Sequence, residues 1–135
     1  MNDRPPPQGF SSVIDLHFEE VSATAVRGYI DIGPQHLQPY GIVHGGLYTA
    51  AVEEAASYGA AAAVLPRGQA VVGVANSTDF LRPVSGGRVR VEAFPLHQGR
   101  VQQLWEVRIT RLPDHVLVAL GRLRLQNLPT PPLAR

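Results

Sequence analysis

The alanine-rich run over residues 47–64 leaves few folds open to this chain. Ala50, Ala51, Ala55, Ala56, Ala60 and Ala63 fall on nearly every side of one long helix. That helix is predicted over 46–64 and is closed by Pro66 and Gly68. A helix this thin buries its surface only if neighbours approach closely on most sides, which a curved sheet does. The rest of the chain can supply one. Residues 23–32 read as a strand stopped by Gly33-Pro34, and four more strand-like segments follow the helix at 70–81, 88–96, 101–111 and 116–126. Arg82-Pro83 with Gly86-Gly87, then His97-Gln98-Gly99, then Pro113-Asp114 separate them. In the third, Trp105, Val107 and Ile109 share one face while Glu106, Arg108 and Thr110 share the other. This fits a sheet packed on one side, with its other side wet or covered by a partner. Residues 10–20 are ambiguous, a short helix or a turn.

With 135 residues, no repeats and no linker, one domain over 10–128 is expected, between disordered tails at 1–9 and 129–135. The absence of cysteine excludes disulfides, thiolate catalysis and cysteine-ligated zinc. The five histidines are scattered without zinc spacing, and there is no Gly-x-Ser-x-Gly elbow, so neither a metal nor a cofactor is expected. No apolar run nears the roughly 20 residues of a membrane span, and the N-terminus lacks an apolar signal core. A cytoplasmic protein with no membrane partner is the expectation. A net charge of +1 gives no case for nucleic acid. All twelve basic residues are arginine, which fits GC-rich coding bias or bidentate grip on phosphates.

Chemistry concentrates where the helix begins. Gly41-Ile42-Val43-His44-Gly45-Gly46 enters it with bare backbone N–H groups, which suit an anion or a carbonyl becoming one. Glu53 and Glu54 then sit in an otherwise small and apolar helix. The two lie about 100° apart around the axis, so they are not expected to share a site, and Glu54 reads as a packing or surface residue.

The His44-Gly45-Gly46 turn, with Glu53 nine positions after the histidine, resembles the hotdog-fold acyl-CoA thioesterases. The likeness covers residues 30–128. Val71-Val72-Gly73, Pro95-Leu96-His97 and Gln103-Leu104-Trp105 bring it nearest to the group holding 4-hydroxybenzoyl-CoA and 1,4-dihydroxy-2-naphthoyl-CoA thioesterases. It implies an α+β hotdog fold, an antiparallel sheet of five to six strands around one central helix. The implied reaction is hydrolysis of an acyl- or aroyl-CoA to free acid and CoA. Gly45 would polarise the thioester carbonyl, with Gly46 beside it. Glu53 would attack that carbonyl or activate water. Gln38 would hydrogen-bond near the thioester, Ser57 would hold the water or carboxylate, and His44 would support the turn or the reacting group. Phe80 stands where naphthoyl-CoA members carry a histidine, and would line the acyl pocket. Arg82, His97 and Arg100 occupy turns where the family binds the CoA nucleotide. A hotdog hydratase-dehydratase and a non-catalytic acyl-CoA-binding module are the alternatives. The acid spacing disfavours the first and the presence of Glu53 the second.

Gly45 and Glu53 are eight residues apart, roughly 12 Å along a helix rising about 1.5 Å per residue. A glutamate reaches only a few ångströms, so one chain does not easily bring both groups to one carbonyl. A two-fold dimer with shared sites resolves this, and the resemblance implies the same dimer, doubled to a tetramer through the sheets.

Overall fold

The computed structural model describes residues 6–129. It runs α1 (Phe10–Ile14), β1 (His17–Val21), β2 (Val26–Asp31), α2 (Gly45–Val64), β3 (Ala70–Phe80), β4 (Arg88–Gln98), β5 (Gln102–Arg111) and β6 (Val116–Leu128). One-turn 3₁₀ helices at Pro34–His36 and Leu65–Arg67 flank α2. The strands form one antiparallel sheet in the order β1-β2-β4-β5-β6-β3. The sheet wraps α2, as the thin helix requires. The expected tails at 1–9 and 129–135 lie largely outside the described residues.

The core is built where small helix residues meet large strand residues. Ala51, Ala55, Ala56 and Ala60 are fully buried against the inward faces of β4, β5 and β6, where Val89, Val91, Val107, Ile109, Leu123 and Leu125 point. Trp105 is fully buried and its indole N–H donates to Gln103 Oε1 at 2.9 Å. The Gln103 amide in turn donates to the Ala60 carbonyl and to Asn127 Oδ1, so the helix, β5 and β6 are tied together where no water enters. Gly59 allows a close approach: a Cβ there would stand 2.6 Å from Trp105 Cζ3 and 2.9 Å from Val26 Cγ2. Gly59→Ala is therefore expected to destabilise the protein by about 1–3 kcal/mol, although alanine is the better helix former. Urea unfolding with tryptophan fluorescence checks this.

One strand departs from the reading of the sequence. β1 was hidden inside the ambiguous 10–20 segment. A bulge between Phe18 and Glu20 breaks its alternation, and it is an edge strand with little buried surface. β3 follows α2 in the chain yet pairs only with β6, so its other edge is unpaired among the described residues. It exposes Val74 at 53% and Phe80 at 55%, an apolar free edge of the kind that pairs with another strand. The sheet's outer face carries ion pairs instead, Arg90 with Glu19, Arg27 with Glu92 and Arg122 with Glu106. No helix among the described residues is long and apolar enough to cross a membrane.

Candidate active site

His44 is the N-cap of α2, with its Nδ1 accepting from the Gly46 N–H at 2.8 Å. This fixes the tautomer at that nitrogen and commits one of the bare donors at the helix end. The Gly45 N–H, by contrast, has no acceptor among the described residues. It remains a free donor at the positive end of a 20-residue helix.

Gly45 borders a cleft of about 340 Å³ together with Gln38, Tyr48, Phe80, Arg82 and Pro83. Phe80 forms the near wall: a Cβ on Gly45 would stand 2.7 Å from Phe80 Cζ, so glycine alone admits the ring there. Gln38 Oε1 accepts from the Tyr40 N–H, which leaves the amide NH₂ as the group's donor.

Glu53 lies elsewhere. It borders a second cleft, of about 680 Å³, between α1 and α2, with Ser57, Glu54, Gly46, Thr49 and Tyr58. Its carboxylate stands over the bulge in β3, where a Cβ on Gly73 would meet Glu53 Oε2 at 3.2 Å. Glu53 is exposed in this single chain and faces the free edge of the sheet. Ser57, one helical turn on, shares the cleft as the spacing predicts.

The two glutamates turn different ways: both border this broad cleft, but the Glu53 carboxylate stands over β3 at Gly73 while Glu54 turns to Ser11 on α1. Glu54 is half-buried, and burial raises its carboxyl above the ordinary range, with the Ser11 hydroxyl opposing in part. His97 and Arg100 border neither cleft. His97 lies within β4 rather than in a turn, and packs beside Gly99, where a Cβ would meet its Nε2 at 2.6 Å. The remaining polar group of the Gly45 cleft, Tyr48, was not anticipated. Its signal was an aromatic in an alanine run, one turn after Gly45. No cluster of three metal-ligating side chains occurs among the described residues.

Residues 40–118 match the thioesterase superfamily, a span that holds the helix entry, both glutamates and the free edge strand. The chain belongs to the thioesterase superfamily. Within it, the "Putative esterase Rv1847" of Mycobacterium tuberculosis is 47% identical over 125 residues, 91% of this chain and 89% of that one. Its solved structure superposes with a TM-score of 0.87 at 46% identity, covering 91% of this chain and 98% of that one. The 1,4-dihydroxy-2-naphthoyl-CoA thioesterase 2 of Arabidopsis thaliana is 35% identical, over 88% of this chain and 80% of that one. The fold is the hotdog fold that the residues suggested.

Proposed function

We propose that this protein is an acyl-CoA thioesterase that hydrolyses an acyl- or aroyl-CoA to the free acid and CoA, at sites built from two chains. One observation carries the reading. The Gly45 N–H is unpartnered at the helix N-terminus, while Glu53 is free of any ion pair and faces the edge of the sheet. The names of the thioesterase relatives support it.

The chemistry follows from those groups. The thioester oxygen accepts from the Gly45 N–H, and the helix dipole lowers the energy of the oxyanion as the carbonyl carbon becomes tetrahedral. The Gln38 NH₂ donates near the same thioester. The Glu53 carboxylate either bonds to the carbonyl carbon, giving an anhydride that water opens, or removes a proton from the attacking water. Either way the C–S bond breaks and CoA leaves as the thiolate. Ser57 orients the water or the carboxylate. Arg82, at the mouth of the Gly45 cleft, faces the CoA phosphates.

Gly45 and Glu53 border separate clefts of one chain, so a second chain is part of the proposal. Glu53 stands at Gly73 and Gly45 at Phe80, both on β3. Antiparallel pairing of the free β3 edge with its own copy, centred on Ser77 with the bulge between Gly73 and Ala75 taken up, sets Gly73 opposite the partner's Phe80. The acid of one chain then meets the helix end of the other, twice by symmetry. Such dimers pairing through the outer faces of their sheets would give the tetramer.

The test is a thiol-release assay against a panel of aromatic and aliphatic CoA thioesters, run beside an enoyl-CoA hydration assay. Thiol release without hydration is expected. Hydration without thiol release would place the protein with the dehydratases, and binding without either would make it a carrier.

A further inference from the structure

Among the described residues, two buried side-chain polar atoms lack a partner, and one of them, the Tyr48 hydroxyl, belongs to a residue that borders the Gly45 cleft. Tyr48 is 3% exposed and sits one turn after Gly45 on α2, so its side chain lies on the same face. Its ring packs against Phe80, with centroids 6.1 Å apart, and Phe80 is the wall that covers Gly45. A thioester carbonyl held at the Gly45 N–H therefore directs its acyl group along Phe80 and Tyr48.

The neighbouring charge leaves the hydroxyl free. Tyr48 feels the charge of Arg111, whose guanidinium is already engaged by Asp114 and by the carbonyl of Pro83, another residue of the cleft. A guanidinium only donates, so the Tyr48 O–H proton has no acceptor there. Burial pushes the Tyr48 phenol up to about 12, so it stays protonated and able to donate. A phenylalanine would fill the same space without a stranded hydroxyl. A buried donor without a partner is costly, and a ligand that supplies the acceptor removes that cost.

Resting on the thioesterase reading, we propose that Tyr48 determines acyl specificity, donating to an acceptor oxygen carried on the acyl group away from the thioester. An acyl group without that oxygen seals the hydroxyl under carbon and binds less well. Sites built to hydrogen-bond a ligand oxygen discriminate sharply against analogues that lack it.

The test uses size-matched CoA thioesters, hydroxy- against methyl-substituted, with the substituent moved along aroyl and straight-chain acyl groups. For the substituent position that reaches Tyr48, the wild type is expected to show kcat/KM about ten- to a hundredfold higher for the oxygenated member. In Tyr48→Phe that ratio should fall to near one. A ratio unchanged by Tyr48→Phe at every position, with hydrolysis intact, would overturn the inference and leave the thioesterase reading standing. Absence of thiol release across the series would overturn that reading instead. The Tyr48 ratio is then read from Kd values of the matching non-hydrolysable ketone analogues, in which a methylene separates sulfur from the carbonyl. Thermal melting gives an independent check. Tyr48→Phe should melt at or above the wild type, since it removes a stranded polar group. A fall of about 3 °C or more would show the hydroxyl already satisfied in the free protein and would also overturn the inference.

Discussion

Replacing Glu53 by glutamine is expected to cut thioester hydrolysis by about 10²–10⁴-fold if the carboxylate acts as a base, and by more if it is the nucleophile. The fold should survive unchanged. Glu53 is exposed, makes no ion pair within the described residues, and only lies over the Gly73 backbone. Substitutions at such positions usually move stability by less than about 0.5 kcal/mol. Circular dichroism and melting temperature should therefore match the wild type while thiol release is lost. Glu54 provides the contrast, since it borders the same cleft but is half-buried beside Ser11. Loss of turnover in Glu54→Gln with turnover kept in Glu53→Gln would move the reactive acid by one residue. Full turnover in both would remove the acid from the mechanism.

Gly45→Val carries the second large effect, at the other half of the site. Two of the Phe80 ring carbons, Cζ at 2.7 Å and Cδ2 at 2.9 Å, lie where a Cβ would press on them. The ring is 55% exposed on the free edge of the sheet and can swing outward, so the helix should still form. The displaced ring and the valine methyls then fill the approach to the Gly45 N–H. Removing one oxyanion donor typically costs about 10²–10³-fold in turnover, and blocking access to it should cost at least as much. A folded Gly45→Val protein with near wild-type thiol release would mean that the glycine serves only the packing of Phe80.

The frame of the fold was legible because its periodicities are clean. The alanine run marked α2 to within a residue at its start, and the Trp105, Val107, Ile109 face of β5 is the buried one. The strand β1 was not legible, because its bulge puts two glutamates in succession and erases the alternation on which strand reading depends. In the candidate site, the spacing located the helix end and Glu53 without showing what surrounds them. The angle between Glu53 and Glu54 sends their carboxyl groups to different elements, one over β3 and the other beside the five-residue α1. Tyr48 was not singled out from the sequence, and its stranded hydroxyl becomes visible only once its neighbours are in place.

The central claim is that the Gly45 N–H and the Glu53 carboxylate act on one thioester from two chains. Mixing Gly45→Val chains with Glu53→Gln chains, each inactive alone, tests it most directly. After subunit exchange, half of the dimers are mixed, and each mixed dimer holds one intact site and one doubly damaged site. About a quarter of wild-type thiol release should then return. Subunits shown to exchange, yet giving no recovery, would contradict the shared site, as would a fully active monomer.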